Sequence, residues 1–500
     1  MKRARIISRS AVAPLRRAAG DPWNYVPHHG GSPAIEAASG QRDGAMPRIH
    51  GMGPATLAAG PQVRAKARGA SVSNAYVRAA VEAKVTAAVG AGIMVAPQHP
   101  SPDVRAALSA RFNRWATYCD LDGVTDWFGL QAGALRAKIV DGEAFLHLIA
   151  VSDTRRLLLR LIPAEMIDHA DNRDLPNGGR IVGGIEFDAQ GVRVAYHVRE
   201  LDLSSAWEAY GPARRIPASE MIHLREILGA GQVRGLSDLA AVLIRLGELD
   251  ELEDASLVGV KTAALFAGFL TDVNGNAGLP FDGTQVGGVL TSGLEPGTLK
   301  VLPAGVDIRF STPAQVSQTV EFLRAQVRAI AVGLGVPSFV ITGDLSEANF
   351  SSLRAGLVSF RQNVERLVYH TLVPQLLRPV WTLWVTLSFL AGDLDDLGAL
   401  TLDDLLPAEF IPPAQPWVDP KADIAAIREA LAAGIMSRRQ AVQAQGWNVE
   451  ALDAEIAADR TRERALSIGP FPLPPNGQPA AQDPETISDE VPAADQEPRT

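Results

Sequence analysis

Ser351 and Ser352, in the stretch GDLSEANFSSLRAG (residues 343–356), are hydroxyls that a hydrolase could use as nucleophiles. A serine hydroxyl attacks only after a base takes its proton, and neither serine has an adjacent histidine or lysine. A base distant in sequence stays open. Asp141-Gly142-Glu143 offers a second chemistry, paired carboxylates for acid–base work, yet adjacent residues on a strand or turn point apart. GAGQVRG (229–235), after the apolar EMIHLREIL, carries the glycines of a dinucleotide turn. Its third glycine comes one residue late, Gln232 and Arg234 would crowd a pyrophosphate, and no following strand ends in the acid that a ribose needs. A tight structural turn is the better reading. No GxxxxGK[ST], HExxH or GxSxG is present.

The nine histidines show no metal-ligand spacing. His28 and His29 sit near the N-terminus, His197 falls on the polar face of a strand and reads as solvated, and His223 reads as structural. Cys119 is the single cysteine, which excludes an intramolecular disulfide and any cysteine-based zinc cluster. It reads as a small buried apolar side chain. No cofactor and no metal are expected.

The serines are therefore better explained by the loop that carries them. Gly335 ends one helix, a new helix starts close to Ser351, and Asn349, Ser351 or Ser352 could cap it. The helix before the loop runs through VEFLRAQVRAIAVGL, with Thr312 as N-cap, Pro313 in the first turn, Gln315 completing a capping box, and Pro337 beyond its end. After the loop, SLRAGLVSFRQNVERLVYHTLVPQLL gives a long helix. Earlier, Leu239, Leu243, Leu246, Leu249 and Leu252 recur at three and four residues, predicting a helix over 236–270. Acids crowd its first two-thirds, and a solvated face is the plain explanation. Between these helices, residues 271–310 alternate Gly/Pro turns with short β-type runs.

Strands are predicted for LLLRLI (157–162) and for a hairpin in GIEFDAQGVRVAYHVRE, where Val192, Val194, Tyr196 and Val198 alternate with polar positions. Helical order is expected to begin near NAYVRAAVEAKVTAAVG. Three shorter helices close the chain, started by Asp419-Pro420, stopped by Gly434, and punctuated again at Gly446 and Asn448. The apolar PVWTLWVTLSFLAG (379–392) is too short to span a membrane and reads as a buried helix. No secretory signal is visible.

At 500 residues the chain exceeds what one core usually serves, so two or more packed units are expected. Charge is uneven. Residues 1–70 hold 11 Lys/Arg against 3 Asp/Glu, residues 469–500 hold 1 against 6, and the whole chain is −9. A basic, Gly- and Pro-rich N-terminal arm and a Pro-rich acidic tail are predicted to be disordered. The acidic body argues against gripping nucleic acid by phosphate neutralisation, though not against letting it slide past.

In order, WATYCDLDGVTDWFGLQ with DGEAF, GGIEFDAQGVRVAYHV, IPASEMIHL with GQVRGLSDLA, the run VLPAGVDIRFSTPAQ…FLRAQVRAIAVGLGVPSFVITGDLSEANFSSLRAG, and WVDPKADIAAIREALAAGIMS resemble the lambda-type portal proteins of tailed bacteriophages. The resemblance covers roughly residues 60–460. It implies an α+β, mainly helical portal fold: an α/β wing, a helical stem, a small β-containing clip and a helical crown. Its implied divisions are a disordered arm (1–62), wing (63–236 and 353–418), stem helices (237–270 and 311–335), clip (271–310), tunnel loop (336–352), crown (419–465) and tail (466–500). It implies a homo-oligomer, usually a dodecameric ring, at one capsid vertex of the virion, with double-stranded DNA passing through without sequence-specific contact. Implied partners are the terminase large subunit, major capsid and scaffold proteins, and head-completion or tail connector proteins, with no membrane. Assembly would take place in the host bacterial cytoplasm.

Under that resemblance Asp344, Leu345, Ser346, Glu347, Ala348, Asn349 and Phe350 narrow the channel. Glu248, Glu251, Asp254, Arg324 and Arg328 are channel or inter-subunit charges, and Lys300, Asp307 and Arg309 belong to the clip. No catalysis is implied. Two other readings are a hydrolase using Ser351 or the carboxylates near Asp141, and a helix-turn-helix DNA binder in 420–465. Asp453, Glu455 and Asp459 on the last helix speak against the latter.

Overall fold

Asn74 separates two helices, α1 (Met52–Ser73) and α2 (Ala75–Ala88). Its side-chain oxygen accepts the Val77 amide at 3.1 Å, satisfying a donor that the start of α2 leaves open. The structure, a computed structural model, describes residues 49, 51–151, 156–201, 210–264, 269–272, 284–286, 289–291, 306–309, 316–346, 349–398, 400–415 and 419–466. The elements belong to the unit that begins at Gly51.

Helix α1 corrects the expected N-terminal boundary, since it begins inside the stretch 1–62 read as a disordered arm. The composition that hid it has a packing cause. Pro54 falls in the first turn, where a missing N–H is tolerated. Gly53 and Gly60 lie where α1 touches the body. A Cβ at Gly53 would stand 2.6 Å from the Gly231 carbonyl oxygen, and one at Gly60 3.0 Å from His169 Nε2.

The chain continues through β1 (Met94–Pro97), α3 (Pro102–Ala116) and α4 (Trp127–Asp141). Asp126 caps α4 by accepting the Gly129 amide at 2.8 Å. Next come β2 (Glu143–Ala150) and β3 (Leu157–Ile162). The strands β4 (Arg173–Asp174), β5 (Arg180–Val182), β6 (Ile185–Phe187), β7 (Arg193–Leu201) and β8 (Tyr210–Pro217) form a five-stranded meander in sequence order. Then β9 (Met221–Arg225) returns to β2, which lies between β3 and β9 in an antiparallel sheet.

The predicted hairpin is β6–β7, with Ile185 opposite Tyr196. A register shift between Glu186 and Phe187 changes its faces. Val192 is exposed, whereas Ala195 is buried. His197 is not solvated. Its Nε2 lies 2.9 Å from Glu186, which also binds Arg215.

The helix expected over 237–270 is shorter at both ends. Ser237 starts a 3₁₀ turn, Asp238–Ala241, before α5 (Leu243–Ala264) begins. Leu239, Leu246 and Leu249 are buried, as their spacing predicts. Beyond α5, β10 (Phe269–Asp272), β11 (Thr284–Val286), β12 (Val289–Thr291) and β13 (Val306–Arg309) form two antiparallel pairs, β10 with β13 and β11 with β12. Residues 269–270 are thus strand, not helix. Asp307 lies opposite Thr271 and Arg309 opposite Phe269, while Lys300 falls outside the described residues.

Helix α6 (Val316–Leu334) stops at Gly335, whose φ of +68° suits glycine, with Pro337 just beyond. Its expected start at Thr312 falls outside the described residues. After α7 (Ser338–Thr342) comes α8 (Phe350–Leu367), which continues through a π-helical stretch, Val368–Leu377, into α9 (Arg378–Ala391). Pro374 lies within the π stretch. Proline gives the backbone ladder no N–H, and the widened register is where the helix absorbs that loss.

Apolar α9 packs inward. Trp381 and Trp384 set their rings 5.2 and 5.1 Å from Phe112, beside Trp115. Truncation at such sites costs about 3–5 kcal/mol. No helix among the described residues is long and apolar enough to cross a membrane.

The remaining elements are α10 (Leu402–Leu405), β14 (Ala408–Ile411), which pairs with β1, and α11 (Pro420–Ala432), α12 (Arg438–Gln443) and α13 (Val449–Leu466). Asp419 and Asn448 receive the opening amides of α11 and α13, and Gly434 and Gly446 take positive φ at the breaks between helices. The large hydrophobic cluster joins α2–α4, the three-stranded sheet, the base of α5 and α8–α9. A second, around Phe145 and Tyr196, fills the space between the two larger sheets. The fold is α+β and mainly helical.

Candidate functional site

The acids of α5 divide by helical face. Asp250 accepts from Asn74 Nδ2 at 2.8 Å, and Glu253 from the Tyr76 hydroxyl at 3.2 Å, so these two are committed to the α1–α2 junction. Glu248, Glu251 and Asp254 are exposed. The acidic run is therefore part anchor and part free surface.

Beside it lies a cleft of about 390 Å³ lined by Tyr76, Glu253, Arg324, Arg328, Phe339 and Asp344, among others. It brings Arg324 together with the polar loop, 3.8 Å from the Asp344 carboxylate. Asp344 also accepts from the Ser346 amide at 3.0 Å and the Ser346 hydroxyl at 2.5 Å. These bonds, with Arg324 and Arg328 nearby, hold its carboxyl below the usual range. The Asp344 amide donates to Thr342 Oγ1 at 3.2 Å. Leu345 points out, 55% exposed.

The irregular loop is shorter than the 336–352 expected. Helix α7 occupies part of that span, and Phe350, Ser351 and Ser352 already belong to α8. Asn349 directly precedes that helix, its carbonyl accepting the Leu353 amide at 3.0 Å. Glu347 and Ala348 lie outside the described residues.

Two charged clusters were hidden in the sequence. Glu143 is fully buried and accepts from Arg234 at 2.6 and 2.9 Å, Arg64 at 2.8 Å, His223 Nε2 at 2.9 Å and the Gly235 amide at 2.8 Å. Burial opposes its ionisation, but Arg234 and His223 outweigh burial and hold the carboxyl well below its usual range. His223 Nδ1 accepts from Arg225 at 2.8 Å, which leaves its proton on Nε2 and the ring neutral. Burial pushes its pKa down to about 3. Asp141 faces elsewhere, held by both arms of Arg68 at 2.7 Å.

GQVRG and DGE thus meet as one structure. A Cβ on Gly235 would stand 2.1 Å from the Gly142 carbonyl oxygen. The paired glycines flanking Glu143 and Arg234 were the only hint in the sequence, and a separation of 91 positions between the charges hid the pairing.

The second cluster centres on Lys138, whose buried ammonium meets Glu226 at 2.9 Å and Asp238 at 2.8 Å. Burial opposes its charge, but Asp238 and Glu226 raise it above the usual range. Lys84 approaches Asp238 at 3.6 Å, and Arg366 reaches Glu226 at 3.1 Å. The cluster joins α2, α4, α8 and the turn that launches α5.

The family model of phage portal protein, lambda family, matches residues 39–367. The chain belongs to this family. In this portal chain the match takes in α5, α6 and the loop after α7 together with both buried clusters. The chain is similar to a probable portal protein of Halomonas phage phiHAP-1, at 26% identity over 378 residues, covering 73% of this chain and 72% of that one. Among solved structures it is similar to a chain from the neck of an empty gene transfer agent particle computed with C6 symmetry. That match has 15% identity and TM-score 0.45, and covers 80% of this chain and 95% of the other. It is also similar to an HK97 family phage portal protein from Corynebacterium diphtheriae, with 13% identity, TM-score 0.30, and coverage of 71% and 96%. Among the described residues of the portal chain, no group of three or more His, Cys, Asp or Glu could hold a metal ion.

Proposed function

We propose that this chain is the subunit of a portal ring, a head–tail connector at one capsid vertex through which double-stranded DNA is packaged and ejected. The single observation that carries this reading is the family match over 39–367. On this reading α5 and α6 are stem helices, β10–β13 the clip and α11–α13 the crown. The remaining sheets and helices form the wing. The clip and its flanks dock the terminase large subunit and connector proteins, and capsid and scaffold proteins surround the wing. The protein is structural and acts in the virion after assembly in the bacterial cytoplasm.

Exposed Glu248, Glu251 and Asp254, with the loop from Asp344 to Asn349, are the surfaces proposed to face DNA. Acids and short neutral side chains form no lasting phosphate contacts and release no counterions, so each step along the duplex stays cheap. Arg324, tied to Asp344, keeps the loop against α6 rather than reaching for phosphate. Exposed Phe322 and Val332 on α6, and Leu257 and Val258 on α5, support burial against neighbouring subunits. Negative-stain images of the purified full-length chain test the reading. Rings with a central hole are expected, and a uniform field of compact monomers would overturn it.

A further inference from the structure

A second cleft, of about 340 Å³, opens where the end of α3 meets the end of α9. Its floor is apolar, from Trp115, Trp384 and Leu387, and its rim carries Arg111, Arg114, Arg156 and Tyr118. Arg111 is engaged by Asp396 and by the Asp393 carbonyl. Arg156 lies over the Tyr118 ring, 5.8 Å from its centre. Both Arg114 and Arg156 are exposed, and among the described residues no carboxylate bonds either one. Among the described residues, Asp393 is the single acid lining the cleft, against three arginines.

We propose that this cleft is the docking site of the chain's own acidic tail, Asp483–Glu497. Charge is the first argument. The segment carries Asp483, Glu485, Asp489, Glu490, Asp495 and Glu497 with no Lys or Arg, opposite a rim whose Arg114 and Arg156 meet no carboxylate among the described residues. Shape is the second. Proline favours an extended backbone, the form that aromatic-lined grooves accept, and the segment's sequence contains Pro484 and Pro492 with apolar Ile487 and Val491 between them.

Reach is the third argument. Helix α13 is fixed to α3 by the Arg105–Glu450 pair at 3.0 Å. At about 1.5 Å per helical residue, with side-chain lengths added, Leu466 lies at most about 55 Å from Arg114. At about 3.1 Å per residue in a Pro-rich chain, the stretch from Leu466 to Asp489 is long enough to span about 70 Å, which allows the proposed docking within one subunit. The proposal is independent of the portal ring and can fail or stand without it.

The test uses full-length Arg114→Lys, a mild change at an exposed site, treated with a carbodiimide that joins amines to carboxylates. Peptide mapping should recover position 114 linked to an acid of 483–497. The yield should fall severalfold in about 1 M salt, where the screening length shrinks to about 3 Å. Adding Arg156→Glu should lower it as well. Linkage only to acids of the folded body, or yields indifferent to salt, would overturn the proposal. So would linkage found only between differently isotope-labelled copies.

Discussion

Glu143 keeps its negative charge without water because five donors surround it, and His223 stays neutral because Arg225 occupies its other nitrogen. Both groups make stability depend on pH in the same direction. Unfolded His223 binds a proton below about pH 6.5, whereas the folded ring resists protonation down to about 3. His169, beside the same cluster, is likewise held at about 3, chiefly by burial. Between those limits the unfolded chain binds more protons, so stability is full above about pH 6.5 and falls on acidification. Each histidine contributes a slope of up to about 1.4 kcal/mol per pH unit. The depressed Glu143 carboxyl adds to the loss below the usual carboxylate range. Urea midpoints measured from pH 8 to pH 5 should fall steadily below 6.5, and a flat profile would contradict this account of the cluster.

At the scale of elements, Lys138 ties α4 to the turn that launches α5. Replacing it with Met should cost about 3 kcal/mol, the low end for a broken buried pair, because Lys84 and Arg366 still face the orphaned acids. Arg366→Ala, at the exposed Glu226 contact, should cost under about 1 kcal/mol. Urea midpoints of the two variants give the comparison. Much of the element order was readable because its signals are local: Gly335 stopping α6, Asp419 starting α11, and leucines spaced along α5. Helix α1 was not readable, since Gly53 and Gly60 answer to Gly231 and His169 far along the chain. The pairing of Asp344 with Arg324 was equally invisible, because it depends on α7 folding the loop back. Acids on α5 looked alike in sequence, and only the hydrogen bonds from Asn74 and Tyr76 separate Asp250 and Glu253 from Glu248, Glu251 and Asp254.

For the whole molecule, the proposed low-friction lining makes charge in the loop a sensitive lever. A ring repeats every substitution in each subunit, so one lysine becomes a collar of positive charge. Asp344→Lys, Ser346→Lys and Asn349→Lys together should slow DNA packaging in a reconstituted motor and make the rate depend more steeply on salt. Unchanged rates would count against an acidic, weakly touching channel.

Cys119 is sealed in the interior, and burial pushes its thiol up to about 12. Thiol-directed dyes and spin labels thus find no native target on the folded chain. A cysteine installed at any outward position becomes the sole chemical handle per subunit, with no background to engineer away.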